Sequence, residues 1–296
     1  MKPRQQRSIA LLVNTRSRNG DRWFRRACAA FADRGVTVDA QAVDSPDALA
    51  PRLRQILKRK PDIVALGGGD GTISALVDEM VGHDVALGVL PFGTANSFAR
   101  SLGIPLEVDG AVETIVAGRP RRIDLGRIGD DYFANAAAIG LSPRIAQTVP
   151  HAAKRWFGRA GYLAWAAIQF ARFRPFTLII DQDGAETRLR VVEVRIANGA
   201  FHGGTELVDS ARVDSGQIVV QAVKGHVRRR LIGNWAKAVL GLPRHDDSVD
   251  FRGARIGIRT EPPLPISIDG EVLARTPAVA SIAAGVIEVM VPARTD

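Results

Sequence analysis

The amino-acid sequence predicts a two-domain α/β protein, in which a doubly wound parallel α/β domain is followed by a β-rich sandwich domain. Strand and helix patterns alternate up to about residue 125, glycine-rich loops follow two of the buried strands, and strand-like runs dominate after Asp124. Alternating strands and helices are typical of a parallel sheet covered by helices. We therefore place the domains at residues 1–124 and 125–296, and leave open whether the last strand returns to the first domain.

The spacing of apolar residues identifies the elements of the first domain. Ile73, Leu76 and Met80 lie on one helical face, so a helix begins directly after the glycines that precede them. The predicted strands cover residues 8–13, 36–43, 63–66 and 85–90, and the predicted helices cover residues 21–34, 46–60, 73–80, 96–102 and 110–117.

The second domain is predicted to consist of short strands joined by turns. Strand patterns cover residues 132–138, 177–181, 188–197, 217–223, 254–259, 265–268 and 286–291, and helical patterns cover 151–173 and 226–242. Asp183-Gly184 and Asp269-Gly270 lie between strand patterns. Because Asp-Gly is a strong signal for a two-residue turn, we predict antiparallel hairpins at both places.

The chain is strongly basic, with a net charge of +9 over 296 residues and an isoelectric point near 10.5. Such a charge favours a polyanionic neighbour (nucleic acid, a nucleotide or an anionic membrane surface), although it would also serve solubility alone. Aromatic residues make up only 6% of the chain, and no aromatic-rich platform is recognisable. We therefore predict no nucleic-acid partner.

Cysteine content and hydropathy indicate a cytoplasmic protein. The single cysteine, Cys28, cannot form an internal disulfide, which fits a reducing compartment, and its spacing from Phe24 and Phe31 predicts a packed core thiol. The longest apolar stretch, near residues 160–171, is too short to span a membrane, and the run at 9–13 is too short for a signal peptide. Contact with a membrane would then be peripheral.

The stretch Gly67-Gly68-Gly69-Asp70-Gly71-Thr72 carries the clearest functional signal. It ends a buried strand, surrounds one acid with glycines and opens a helix. Glycines let the backbone approach a ligand closely, and free N–H groups at a helix start bind anions, so a phosphate chain fits there. The stretch matches neither a Walker A loop nor the dinucleotide motif. A tight turn without a ligand is the alternative.

A second loop, Pro91 to Arg100, also leaves a buried strand and opens a helix. In a parallel sheet both loops emerge at the carboxyl edge, where ligands bind. Gly93, Thr94 and Asn96 would there offer an open backbone, a hydroxyl and an amide. Taken alone, Gly-Thr-x-Asn is equally consistent with a capped helix start.

Together these loops resemble the diacylglycerol kinase catalytic-domain family of soluble bacterial lipid kinases, whose relatives include phosphatidylglycerol, sphingosine and ceramide kinases. The resemblance covers nearly the whole chain. Its landmarks here are Asn14-Thr15-Arg16-Ser17, Gly67 to Thr72, Pro91 to Arg100, Ile123-Asp124-Leu125-Gly126, Phe133-Ala134-Asn135 and Asp269-Gly270-Glu271. NAD kinases share the glycine loop alone, whereas the combination is specific.

The resemblance implies an NAD kinase-like first domain and an enzyme that moves the γ-phosphate of ATP onto a lipid hydroxyl, with Mg²⁺ as cofactor and diacylglycerol or a related lipid as acceptor. It assigns Asp269 as the base for the lipid hydroxyl and Glu271 as its support. Residues expected to bind ATP are Asn14, Arg16, Ser17, Gly67, Gly68, Gly69, Asp70, Gly71, Thr72, Gly93, Thr94 and Asn96.

Acids near the loops, Asp70 and Asp124, are expected to hold Mg²⁺ directly or through water. Resemblance adds Asp214 as a ligand of a structural ion, although a polar turn is the simpler interpretation there. Ser97 stands where the family has an aspartate. Without that carboxylate, Asp70 and Asp124 would have to bind the metal ion alone. The alternative is that the enzyme has weak activity.

Other interpretations stay open at this level. Asp269 could be only a hairpin-turn residue. The enzyme could be NAD kinase-like with a soluble acceptor, although the Asn-Glu dipeptide of that family is absent, or the chain could be a non-catalytic regulator that binds a nucleotide or lipid. The sequence names neither the lipid nor the oligomeric state, and a homodimer is one option.

Two segments, residues 154–163 and 228–235, mix arginine with tryptophan. Such segments suit a headgroup interface, with tryptophan at the boundary and arginine on anionic lipid. Ordinary helices with packed tryptophans are the alternative. We expect peripheral association with an anionic membrane surface.

Overall fold

A computed structural model describes residues 7–16, 19–140, 174–224, 248–269 and 271–293. The described strands are β1 (Ile9–Asn14), β2 (Val38–Val43), β3 (Ile63–Gly68), β4 (Ala86–Pro91), β5 (Arg119–Ile128), β6 (Asp131–Phe133), β7 (Ala136–Gly140), β8 (Phe176–Gln182), β9 (Ala185–Ala197), β10 (Phe201–His202), β11 (Thr205–Glu206), β12 (Ile218–Lys224), β13 (Ser248–Gly253), β14 (Arg255–Glu261), β15 (Pro265–Ile268), β16 (Glu271–Arg275) and β17 (Ala278–Val291). The described helices are α1 (Gly20–Ala32), α2 (Pro46–Leu57), α3 (Asp70–Met80), α4 (Ser97–Ser101) and α5 (Val108–Ala117).

The amino-terminal half is a parallel sheet with strand order β2-β1-β3-β4. Every residue of β3 and β4 is buried, as expected for strands covered by helices on both faces. The chain moves outward from β1 to β2 and then returns past β1 to β3. Ligands of such sheets bind beyond the carboxyl ends of the strands where the order reverses. The predicted doubly wound α/β architecture is confirmed.

The second half is built from antiparallel strands, and the predicted β-rich architecture is also confirmed. β7, β8 and β12 each pair with β9, and β15 pairs with β7 and β16. The turn at Asp183-Gly184 joins β8 to β9, and the turn at Asp269 joins β15 to β16, so both predicted hairpins are present.

The long strand β17 connects the two halves. Its residues Glu288 and Val289 pair in parallel with β4, whereas its first residues pair with β14, and β5 runs antiparallel along most of its length. β5 contributes Ile123 and Leu125 to the core of the parallel sheet and Ile128 to the core of the antiparallel half. The predicted division after Asp124 therefore falls inside a strand shared by both cores.

Several predicted elements differ from the structure. The single strand expected over residues 132–138 is two strands, β6 and β7, separated at Ala134-Asn135. β5 was not predicted because three of its first four residues, Arg119, Arg121 and Arg122, are charged and hide the strand pattern. The helical patterns at 151–173 and 226–242 lie outside the described residues. Among the helices that are described, none has the length and apolar character needed to cross a bilayer.

Candidate functional site

The glycines that follow β3 differ in what surrounds them. A Cβ atom added to Gly67 would lie 2.7 Å from the ring of Phe92, and one added to Gly68 would lie 2.5 Å from the Cβ atom of Thr72. These glycines therefore make room for neighbouring protein side chains. Gly71, in the first turn of α3, has no atom within 4 Å of its added Cβ in the described part of the chain. Open space for a ligand in this loop lies at Gly71.

The two glycine-containing loops touch each other, backbone against backbone. A Cβ atom added to Gly93 would lie 2.5 Å from the Cα atom of Gly69. Asp70 stabilises this contact between the loops, because its carboxylate accepts hydrogen bonds from the backbone N–H groups of Ser97 (3.0 Å) and Phe98 (3.1 Å). An acid from the first loop thus caps the helix that follows the second, a contact that sequence reasoning did not anticipate.

Asn96 holds the second loop together through its own amide. It is buried, with a φ of 49°, a conformation that asparagine tolerates better than most residues. Its Oδ1 accepts the N–H of Gly93 at 2.9 Å, and its Nδ2 donates to the carbonyls of Gly93 (2.8 Å) and Pro91 (3.2 Å). The amide that was expected to face a ligand is therefore used within the loop, whereas Thr94 is exposed.

The loop after β1 reaches the glycine loop. The Nδ2 of Asn14 donates to the Oγ1 of Thr72 at 3.1 Å, and the backbone N–H of Arg16 donates to the Oδ1 of Asn14, also at 3.1 Å. Arg16 is exposed, and the predicted ATP ligand Ser17 lies outside the described residues. Three loops at the carboxyl edge of the parallel sheet thus meet around the start of α3.

Asp269 is more than a turn residue. Its carboxylate accepts hydrogen bonds from the Ser74 hydroxyl at 2.8 Å and from the N–H groups of Ala134 and Ala136, each at 3.2 Å. Burial raises the pKa of Asp269, and these hydrogen bonds and the charge of His202 oppose that rise. By contrast Asp183, in the other Asp-Gly hairpin, has a similar positive φ and is exposed. Of the two Asp-Gly hairpins, only the one at Asp269 therefore carries a half-buried, oriented carboxylate at its tip.

Helix α3 joins the glycine loop to Asp269. Thr72 contacts the loop after β1, and Ser74, only two residues further along, donates to Asp269. One turn beyond Ser74 lies Asp78, which is exposed overall. Desolvation of the carboxyl and the charge of Asp131 nevertheless raise the pKa of Asp78 to about 6. Ser74 and Asp78 were missed from the sequence, although their four-residue spacing on a predicted helix was readable.

A small cleft lies between β7 and β9 on one side and the segment at 199–208 on the other, and Ala136, whose N–H donates to Asp269, lines it. His202 also lines it. The Oγ of Ser97 accepts the N–H of Gly204 at 3.0 Å, so the hairpin that carries His202 is tied to the second loop. Ser97, which stands where the family has an aspartate, therefore has a structural role in joining these two segments.

The predicted metal ligands do not gather into one group. Asp124 accepts the N–H groups of Gly216 (2.7 Å) and Gly285 (2.8 Å), and Asp214 forms an ion pair with Arg121. No set of three or more His, Cys, Asp or Glu side chains in the described ranges is placed to hold a metal ion. Binding of Mg²⁺ by Asp124 and of a structural ion by Asp214 stays a prediction. Arg121 already neutralises Asp214.

Glu271, the predicted support of Asp269, begins β16 and is exposed. Within the residues that the structure describes, its side chain has no recorded hydrogen bond or ion pair. Its assigned role stays a prediction.

Each half of the chain matches a family model of known proteins. Residues 8–128 match the family model described as the diacylglycerol kinase catalytic domain, and residues 135–291 match the YegS C-terminal NAD kinase beta sandwich-like domain. The chain is 30% identical over 214 residues to a Chromohalobacter salexigens protein named "probable lipid kinase YegS-like", covering 70% of this chain and 69% of that protein.

A second relative and a solved structure are also similar to this chain. The chain is 27% identical over 249 residues to a Bacillus subtilis protein named diacylglycerol kinase, covering 81% of each. It is also similar in fold to a solved structure described as a diacylglycerol kinase from Bacillus anthracis, with a TM-score of 0.75, 19% identity and 98% of each chain covered.

Proposed function

The chain belongs to the diacylglycerol kinase catalytic-domain family, and from that premise we propose that it transfers the γ-phosphate of ATP to the hydroxyl of a lipid, with diacylglycerol or a related lipid as acceptor. The main support for this proposal is the hydrogen bond that the Ser74 hydroxyl donates to the Asp269 carboxylate. Through it, the helix that opens at the glycine loop also holds a half-buried carboxylate beside a cleft. A phosphate donor and a hydroxyl acceptor can therefore meet at the start of α3.

On the donor side, the open space at Gly71, in the first turn of α3, suits a phosphate chain, because the amino terminus of a helix favours anions. Of the predicted metal ligands, Asp70 lies in this loop and retains acceptor capacity beyond its bonds to α4, because a carboxylate has about four lone-pair positions. Asp70 would hold Mg²⁺, directly or through water, together with the phosphates of ATP. Bound there, the ion neutralises charge on the phosphates.

On the acceptor side, Asp269 takes the proton of the lipid hydroxyl. Its raised pKa makes it a stronger base than an exposed aspartate, and its three hydrogen bonds fix the direction of the carboxylate. In a loose phosphoryl-transfer transition state the hydroxyl proton leaves late, so a carboxylate suffices as the base.

Incubation with labelled ATP and a panel of lipids tests the proposal. The panel holds diacylglycerol, phosphatidylglycerol, a sphingoid base and ceramide, with NAD as a soluble acceptor in parallel. Label is expected in a lipid. Label in NAD alone would favour the NAD kinase-like alternative, and bound ATP that is never transferred would favour a regulator.

Replacing Gly71 with alanine tests where the phosphates bind. An alanine fits the backbone and improves helix stability by up to about 1 kcal/mol, but its methyl group occupies the space proposed for phosphate. We expect an ATP Kd raised about tenfold, roughly 1.4 kcal/mol, with an unchanged or higher Tm. The control is Ala75→Ser on the exposed side of the same helix. Unchanged ATP affinity in the Gly71 variant would place the phosphates elsewhere.

We also propose peripheral binding to an anionic membrane surface, supported by the +9 net charge. Basic residues near such a surface contribute about 1 kcal/mol each, and the attraction fades beyond about 10 Å at 0.1 M salt. The protein should sediment with phosphatidylglycerol vesicles at low salt and dissociate as salt rises. Changing Arg228, Arg229 and Arg230, which lie outside the described residues, to glutamate should weaken sedimentation and spare turnover on detergent-dispersed lipid. Equal binding by the variant would exclude this segment.

A further inference from the structure

The short hairpin formed by β10 and β11 carries a histidine that the proposed mechanism does not use. His202 pairs with Thr205, and the turn between them is Gly203-Gly204. The φ angles of these two glycines are 59° and 80°. Two successive positive φ angles are those of a type I′ turn, which closes a tight two-residue hairpin. The backbone on which His202 is carried is therefore well defined.

The base of this hairpin is held by backbone hydrogen bonds and by packing. The carbonyl of Ala200 accepts the N–H groups of Leu207 (3.0 Å) and Val208 (3.2 Å). Val208 is buried in a small apolar cluster with Ala197 of β9 and Val219 of β12. The hairpin therefore projects from a packed base.

The tip of the hairpin lies against the second loop, which is expected to bind ATP. A Cβ atom added to Gly204 would lie 3.2 Å from the Cα atom of Ala95. The Oγ of Ser97 accepts the N–H of Gly204 at 3.0 Å, and the backbone N–H of Ser97 donates to Asp70. The glycine loop, the second loop and the hairpin are thus joined by one series of contacts.

His202 is also close to the proposed base. It lines the same cleft as Ala136, whose N–H donates to the Asp269 carboxylate at 3.2 Å. Burial raises the pKa of Asp269, and the positive charge of His202 opposes that rise, an effect that a charge has on its neighbours. Because two residues of extended chain span about 7 Å, His202 is equally near Gly204 and the second loop. His202 therefore lies between the second loop and Asp269.

Phosphoryl transfer at this place brings negative charges together. In the proposed site the γ-phosphate of ATP passes between two carboxylates, those of Asp70 and Asp269. Hydrogen-bond donors placed where charge develops on the phosphoryl oxygens stabilise the transition state. The imidazole of a histidine offers an N–H donor whether it is neutral or protonated. His202 thus has both the position and the chemistry that this step requires.

We infer that His202 is a further residue of the transfer site, where its imidazole N–H binds an oxygen of the transferred phosphoryl group, and that Ser97 is the positioning residue that holds it there through Gly204. This inference rests on the proposed kinase function and adds a donor to it that neither nucleotide loop supplies. The hydroxyl of Ser97 joins the hairpin to the second loop without placing another negative charge beside the phosphates.

Steady-state kinetics with ATP and diacylglycerol in mixed micelles test both residues. His202→Ala should lower kcat at least about tenfold and leave the ATP Kd within about twofold of wild type, because the lost bond forms chiefly in the transition state. Ser97→Ala keeps the N–H that Asp70 accepts and loses the bond to Gly204, so kcat should fall about threefold. Ser97→Thr retains a hydroxyl and should restore most of that loss.

A double variant separates positioning from a general loss of structure. If Ser97 acts through His202, adding Ser97→Ala to His202→Ala should change kcat by less than about twofold, since residues that act as one unit are not additive. The matched control is Ser210→Ala, in the same connection between β9 and β12. It loses a hydrogen bond of 3.0 Å to Asp250 and should keep the wild-type kcat.

Wild-type kcat in His202→Ala overturns the inference, and effects that multiply in the double variant remove Ser97 from it. A wild-type protein that transfers no phosphate to lipid overturns the proposed function instead. In that case NMR with ATP alone still decides where His202 lies. Its imidazole resonances, assigned by their loss in His202→Ala, should shift when ATP is added, whereas those of the exposed His83, beyond the carboxyl end of α3, should not. Unchanged His202 resonances at saturating ATP would place this side chain away from the phosphates.

Discussion

Asp269→Asn is expected to lower turnover by about 10²-fold or more while ATP affinity stays close to that of the wild-type protein. Asparagine has the size of aspartate and retains an acceptor for the N–H of Ala136, but it cannot take a proton from the lipid hydroxyl. Steady-state rates with lipid and ATP, together with the ATP Kd from calorimetry, measure the two quantities separately.

The chain supplies its own control for this substitution. Asp183 also sits in an Asp-Gly hairpin turn with positive φ, but it is exposed. Asp183→Asn should therefore leave turnover unchanged. If Asp269→Asn also turned over at the wild-type rate, the role of Asp269 would be confined to the turn.

The raised pKa of Asp269 also predicts how folding stability and activity depend on pH. Burial, the largest cause, raises the pKa of Asp269 above its value in the unfolded chain, so ionisation of this group opposes folding. Its contribution to stability is full below the unfolded pKa and is lost as pH rises through the folded pKa. Activity has the opposite dependence, because the base must be ionised. The Tm of Asp269→Asn relative to wild type should therefore improve from acidic to neutral pH, even as activity is lost.

Much of the fold was predictable because local patterns determined it. Apolar periodicity located β1 to β4 and α1 to α3, and the glycines located the loop between β3 and α3. β5 was not predicted, because its pairing with β17 joins residues far apart in sequence and the arginines at its start conceal the alternation of apolar and polar residues. The side chains that surround a strand, which decide whether charge is tolerated there, cannot be read from the strand itself.

The candidate site was predictable as residue types but not as contacts. The sequence identified Asp70, Asn96 and Asp269, yet Asp70 caps a helix, Asn96 holds its own loop and Asp269 bonds to Ser74. Each contact depends on how two loops or two halves of the chain approach each other. The facing polar side chains of Arg195, Gln221 and Asp250 could not be predicted for the same reason, because they are neighbours only in the register of strands that are distant in sequence.

Asp70→Ala is expected to reduce phosphoryl transfer by at least about 10²-fold. The carboxylate lies in the loop proposed to receive the phosphates, and it also joins that loop to the second one by accepting the N–H groups of Ser97 and Phe98. Its loss removes a negative group for Mg²⁺ and frees the second loop to move. Lost capping of α4 should cost about 1 kcal/mol of folding stability, a small part of the stability of a typical domain.

A second acid separates the loss of activity from the loss of stability. Asp62 also joins two segments, accepting the N–H of Ser8 at 2.6 Å and its hydroxyl at 2.8 Å, and these bonds lower the pKa of Asp62. Asp62→Ala should therefore reduce stability by a comparable amount and leave turnover near that of wild type. Turnover and Tm are measured for both variants under the same conditions. If the two lose activity equally, or if Asp70→Ala keeps full activity, Asp70 has no direct part in phosphoryl transfer, and the donor site must be sought away from the start of α3.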